Sequence, residues 1–314
     1  MTGTRGRRHA HRFAVIDVPS PLGLRPSGVQ DLPVALRRAG LIRHLRAVDA
    51  GQVDVPLYSP QRDAKTRLLN GPALHDVSRA LASLITASVG RGEFPVVLAG
   101  DCSVVVGATL ALRRLSAASL APDAPRYGLL FLDGHVDFYQ PEASPTGEVA
   151  DMDLALATGR GPALLADIDG LRPYVADADV VAFGARDGEE RRKAGSQDVR
   201  STAVRVMELA EVHTLGAEQA ASVALTYLEK RGIAGCWVHV DADVLDDAVM
   251  PAVDYRQPGG LAAAELTAVL GRAMASGLPV GLSVAIYNPA LDHDGAAGRV
   301  LAGAVAAGLG YFAR

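Results

Sequence analysis

The stretch FLDGHVDF, residues 131–138, sets Asp133, His135 and Asp137 two apart at the end of an apolar run. In an extended chain that spacing puts all three on one side. CWVHVDADV, residues 236–244, does the same with His239, Asp241 and Asp243. PVVLAGDCS, residues 95–103, carries a third apolar run into Asp101 and Cys102. Each alone has an undemanding explanation: Asp101 as a helix cap, Cys102 as a small buried hydrophobe, His135 as a hydrogen-bonded core histidine. Together they do not. Carboxylates at 133, 137, 241 and 243 on neighbouring strand ends would raise one another's pKa, and burying them uncompensated is costly. One or two divalent cations would cancel the repulsion, and an oxygen-rich set with a single imidazole favours Mn²⁺ or a similar ion. Two such ions sharing carboxylates can polarise a water into hydroxide at neutral pH, so the chemistry indicated is metal-assisted hydrolysis.

The elements that must position these residues are legible as alternation. Strand candidates are RFAVIDV (12–18), VDVPLY (53–58), PVVLAG (95–100), YGLLFLD (127–133), DVVAFGA (179–185), VRVMEL (204–209), CWVHVDADV (236–244) and VGLSVAIY (280–287). Between them, segments such as 71–89, 105–120, 217–232 and 263–277 space apolar residues by three and four and end near Gly. Several strands are apolar on both faces, as parallel strands covered by helices on each side must be. The fold class is α/β, read as three layers, α/β/α, around an open parallel sheet of about eight strands, with a closed barrel the alternative that periodicity leaves open. Sites in such sheets lie at the carboxyl ends of strands near a topological switch. Three strands end in polar clusters there.

Bulk properties agree with a globular protein working on small molecules. Hydrophobic residues make up 49% of the 314 and the formal charge is −4, so nothing calls for nucleic acid or an anionic membrane. Residues 1–12, MTGTRGRRHAHR, read as a disordered basic tail, and residues 13–314 as a single domain. Two cysteines, Cys102 and Cys236, suit a reducing cytoplasm. No run of about 18 apolar residues occurs, and FAVIDVP is too short for a signal-peptide core. A cytoplasmic location follows as the expectation. The sequence does not decide between a monomer and a homo-oligomer.

With AGDCS (99–103), DGHVD (133–137) and HVDADVLDD (239–247) in this order, the chain resembles the arginase/agmatinase (ureohydrolase) family over nearly its whole length. GARD (184–187), PGGL (258–261) and the NP at 288–289 match its other landmarks. The resemblance implies the arginase-type fold and two Mn²⁺ per chain, with Zn²⁺ the alternative. It places Cys102, Asp133, Asp137 and Asp241 on one ion and His135, Asp133, Asp241 and Asp243 on the other. It further implies attack of a metal-bridging hydroxide on a guanidino carbon, with Asp137 passing the proton to the leaving amine. Tyr139, Thr146, Glu189 and Ile286 are the expected substrate-binding residues.

Four departures from the family's pattern bear on the substrate. Cys102 stands where arginases have a ligating His, an exchange that marks the hydroxyarginine-hydrolysing branch, which this chain resembles in that feature. Ala150, in SPTGEVADMDLA (144–155), occupies the place of the proton-shuttle His, leaving Glu148 as the substitute and Asp151 beside it. Ile286, in GLSVAIYNPAL (281–291), falls where arginase keeps a Glu that grips the guanidinium. His239 replaces a small residue and reads as a proton carrier, a donor behind the ligands, or a core histidine. The expectation is an amidinohydrolase of a small guanidino compound, N-hydroxylated or otherwise less basic than arginine. The rival expectations are hydrolysis of another amide or amidine and a catalytically silent metal-binding scaffold.

Overall fold

A computed structural model describes residues 12–119 and 124–310. Its eight strands are β1 (Arg12–Val18), β2 (Val48–Gln52), β3 (Glu93–Ala99), β4 (Tyr127–Leu132), β5 (Val180–Ala185), β6 (Arg205–Glu208), β7 (Gly235–Asp241) and β8 (Pro279–Ala285). They form one sheet in the order β2-β1-β3-β8-β7-β4-β5-β6. Every pairing is parallel. Strands β3, β5 and β7 are buried at every position. That two-sided burial is why they read as continuous apolar runs rather than as alternation. The helices Gly71–Gly90 and Val104–Ala117 pack together on one face, and Ala217–Lys230, Ala263–Ser276 and Ala296–Gly310 pack in series on the other. This is the three-layer α/β/α arrangement that the alternation predicts, and the arginase-type fold that the resemblance implies has the same layers.

Seven of the eight expected strands coincide with observed ones to within a few residues. The exception is VDVPLY. The strand there is β2, five residues earlier, paired through Ala14 and Val48. Pro56 lacks an N–H and cannot donate to a ladder, and the chain leaves the edge at Val53, whose N–H donates to the Asp17 carbonyl at 2.9 Å. CWVHVDADV is also shorter as a strand, because Ala242–Val244 turns into a 3-10 helix. The basic tail, apart from Arg12 at the start of β1, lies outside the described residues. No helix among the described residues is long and apolar enough to cross a membrane.

The order of strands fixes the site's place. Strands β3 and β4 follow one another in the chain but are separated by β8 and β7 in the sheet. The connections after β3 and β4 therefore leave in different directions, opening a crevice at the carboxyl edge. The four strands whose ends carry the singled-out residues, β3, β8, β7 and β4, are adjacent.

Candidate metal centre

Each cluster sits in the first turn after its strand. β3 ends at Gly100, where a Cβ would run into the Ser20 carbonyl. The Asp101 carboxylate, fully buried, then accepts from Ser103 N at 2.9 Å, Gly23 N at 3.1 Å and Ser20 Oγ at 3.2 Å. Asp101 is thus a strut that sets Cys102 at the strand end. From β4, Asp133 accepts its own loop's His135 N–H at 2.6 Å, and from β7, Asp241 accepts the Asp243 N–H at 2.6 Å. These turns hold one oxygen of each carboxylate on the backbone and leave the other to face inward. Asp133 Oδ2 is buried with no hydrogen-bond partner.

The structure brings all six expected ligands to one place. Cys102 Sγ lies 2.8 Å from Asp241 Oδ2, and His135 Nδ1 lies 2.8 Å from Asp243 Oδ2 and 3.7 Å from Asp133 Oδ1. Donor atoms of Cys102, Asp133, Asp241 and His239 fall within 4.8 Å of one another, as do those of Asp133, His135 and Asp243. Asp137 joins through a further group with Cys102 and Asp153, again within 4.8 Å. Asp133 belongs to two of these groups and Cys102 to two, so the donors form linked sets rather than separate ones. Asp137 adopts a left-handed backbone, φ 48°, uncommon away from Gly.

The electrostatics state what the set lacks. Burial, followed by the charge of Asp243, pushes Asp133 up to about 7. Burial and then neighbouring carboxylates push Asp137 and Asp241 well above the usual range. Burial also raises the Cys102 thiol, with Asp241 and Asp133 adding to it. At His135 burial opposes the imidazolium, but Asp243 and Asp133 outweigh it and the pKa rises. Asp243 moves down, because His135 overcomes its burial. Such a site needs positive charge, and its oxygen-rich donors with one imidazole and one thiol fit divalent ions.

His239 is fully buried behind the cluster and does not line the cavity. Trp237 Nε1, a donor only, gives its hydrogen to Ser283 Oγ at 2.9 Å, and Ser283 Oγ lies 2.8 Å from His239 Nδ1. Nε2 on the other side of the ring lies 3.3 Å from Cys102 Sγ; in the tautomer where Ser283 donates to Nδ1, the His239 hydrogen sits on Nε2 and points at that sulfur. Burial pulls the His239 pKa down to about 3. Of the roles expected of His239, the geometry sets the ring against Cys102 and away from the cavity wall, where no substrate atom would touch it. Ring stacking on Phe131, centroids 5.1 Å apart, holds it in place. Cys236, on the opposite strand face, is buried in the core.

A cavity of ≈ 420 Å³ opens over the cluster, lined by Cys102, His135, Asp137, Asp241, Asp243, Tyr139, Thr146, Glu148, Ala150 and Ile286 among others. Three of the four expected substrate-binding residues are therefore in its wall. Glu189 is not: its side chain is 75% exposed and pairs with Lys193, while Glu190 lines the cavity. The helix Gly188–Lys193 turns successive side chains by about 100°, which the motif GARD alone does not register. The lining also includes Asp187, Asp254, Tyr255 and Arg256. Glu148 Oε2 accepts from Tyr255 Oη at 2.8 Å, and Asp151 takes the Ser144 hydroxyl at 2.7 Å. Burial raises Asp151 to about 7. Ile286 has φ 71°, strained for a β-branched residue, and its N–H is tied to the Gly100 carbonyl at 2.9 Å. Sequence reasoning missed Tyr255, Glu190 and Asp153. The last had a signal: an acid inside the apolar run MDLALA.

A parallel doubly wound sheet with a carboxylate-rich donor set over its carboxyl edge defines a metal-dependent hydrolase of α/β class. The Arginase family model matches residues 11–310. Arginase of Staphylococcus aureus (strain MSSA476) is 28% identical over 287 residues, 89% of this chain and 91% of that protein. Arginase of Bacillus caldovelox is 29% identical over 289 residues, covering 90% and 92%. Among solved structures, Bacillus subtilis arginase superposes with a TM-score of 0.82 at 26% identity, covering 95% of this chain and 98% of that one. Proclavaminate amidinohydrolase from Streptomyces clavuligerus shares the fold, with a TM-score of 0.68 at 21% identity over 96% of this chain and 92% of that one. The chain belongs to the arginase family, and with it to the hydrolases of C–N bonds other than peptide bonds.

Proposed function

We propose that this protein hydrolyses a C–N bond of a modified guanidine less basic than arginine, an N-hydroxylated guanidine such as N-hydroxy-arginine. The observation that carries the reading is Ile286. It lines the cavity beside Asp137 and Asp241, at the position that resemblance assigns to a guanidinium-gripping Glu. A full guanidinium against that wall loses its counter-charge in a desolvated site, at a cost of several kcal/mol. The N-hydroxyl group lowers the basicity and suits an apolar wall. Glu190, also in the lining, fits a positively charged tail such as an α-ammonium group, whereas Asp187 and Asp254 are already paired with Arg191 and Arg25.

Cys102, Asp133, Asp137 and Asp241 would hold one divalent ion and His135, Asp133, Asp241 and Asp243 the other. Oxygen donors favour Mn²⁺, while a Cys102 thiolate favours the rival Zn²⁺. The pair, when bound, supplies a water acidic enough to act as nucleophile at neutral pH. Asp137 would take the proton from that nucleophile and return it to the leaving nitrogen. Glu148, with its Oε2 held by Tyr255, is the second acid on the wall where Ala150 leaves no imidazole. Tyr139 and Thr146 would contact the substrate's tail.

A panel of arginine, agmatine and N-hydroxy-arginine, with urea and hydroxyurea as the measured products, tests the proposal. Hydroxyurea from the hydroxylated compound, at higher kcat/KM than urea from arginine, is the expected result. Equal efficiency on arginine overturns it. Metal retention without turnover of any C–N substrate would instead favour a silent scaffold.

A further inference from the structure

Asp153 opens the short helix Asp153–Ala157 and is fully buried. Neither of its carboxylate oxygens has a hydrogen-bond partner. Its sequence neighbours Met152, Leu154, Ala155 and Leu156 are apolar and buried, so its own helix offers no side-chain partner, and only the nearby Leu154 backbone N–H eases its charge. An unpartnered carboxyl at this depth is a standing cost unless it meets a proton or a cation.

The side chain faces the metal centre. One of its oxygens lies within 4.8 Å of both Cys102 Sγ and an Asp137 oxygen, and those two donors are within the same distance of each other. Donors about 2.1–2.4 Å from a common ion stand roughly 3–4.5 Å apart, so the triangle closes on one cation with little movement. The Ala155 N–H donates to the Asp137 carbonyl at 3.3 Å and keeps the helix start against the DGHVD turn. Asp133, whose Oδ2 is likewise unpartnered, belongs to a group that shares Cys102.

We propose that Asp153 is a ligand of the cation on the Cys102 side, supplying a hard oxygen donor where Cys102 offers only sulfur. The inference rests on the two-ion reading above. It gives the Cys102 ion a donor set of carboxylates with one sulfur, which accounts for how a site bearing a cysteine would still retain Mn²⁺.

The test is Mn²⁺ binding by the full chain, stripped with chelator and titrated by calorimetry with bound metal counted by mass spectrometry. Wild type is expected to take two equivalents. Asp153→Asn, isosteric with a protonated acid, should weaken one of them by at least about tenfold, the lower bound for losing even an outer partner of a ligand, and spare the other. His135→Ala should weaken the complementary equivalent. Asp153→Ala serves as a second variant, with circular dichroism confirming the fold of both. Both equivalents retained within about twofold in folded Asp153→Asn would overturn the ligand role while leaving the two-ion reading intact. Wild type that takes up neither Mn²⁺ nor Zn²⁺ would overturn both.

Discussion

Replacing Ile286 by Glu isolates the residue on which substrate preference turns. The side chain is 7% exposed and lines the cavity with Cys102, Asp137 and Asp241. Its backbone is already left-handed at φ 71°, and Glu is unbranched at Cβ, so the exchange adds no strain to a position that tolerates isoleucine. A carboxylate there would pair with a guanidinium by a charge-assisted hydrogen bond, about 1.5–3 kcal/mol. That corresponds to roughly 10- to 150-fold in relative kcat/KM for arginine over N-hydroxy-arginine, because the less basic compound gains little from the pair. Without substrate, the new acid stands beside Asp137 and Asp241, so the chelated variant should unfold at a lower Tm that added Mn²⁺ restores. The assay is steady-state hydrolysis of both compounds by metal-loaded wild type and Ile286→Glu, with urea and hydroxyurea measured separately. A folded, metal-loaded variant whose preference ratio matches wild type would refute the reasoning, since the position would then not meet the guanidino group.

Ser283→Ala removes the shared partner of Trp237 Nε1 and His239 Nδ1, both fully buried, and should cost about 2 kcal/mol or more in thermal unfolding, with looser Mn²⁺ binding at Cys102. An unchanged Tm would count against the donor chain. In chelated protein, Asp133 and Asp151 sit near 7 when folded against an ordinary 3.8, so the native state holds protons that the unfolded chain has released. His135, raised as well, acts in the same direction. His239, lowered to about 3, opposes it and is outweighed by the raised carboxylates Asp133, Asp137, Asp151, Asp153 and Asp241. Stability should therefore be greatest toward acidic pH and fall as pH rises through about 7, read as Tm across a pH series; a flat series would contradict it. Saturating Mn²⁺ should reverse that slope, because metal binding requires the deprotonated carboxylates. Asp133→Ala, which removes the acid common to two donor groups, should abolish near-stoichiometric metal uptake by purified protein; full retention would mean the ligands lie elsewhere.

Much of this molecule is written locally. Alternation of β-branched runs with three-four spaced helices determines the layers, and polar residues closing three of those runs mark the edge that carries the site. Asp133, His135 and Asp137, or Asp241 and Asp243, are legible because a strand followed by a tight turn keeps residues two apart together. The edge strand was less so, since the pairing of 48–52 with β1 depends on which segment reaches that edge first. What lies across the sheet from a motif has no local signal. Only the packing of four strand ends brings Cys102 to Asp241, 139 residues apart in the chain, and His239 beneath it. Only the return of the 144–157 segment over the crevice sets Ala150 and Glu148 in the cavity wall and buries Asp153 against Cys102 and Asp137. Residue type sets what each side chain can do; long-range packing, through burial and unmet charge, decides which of them must act together.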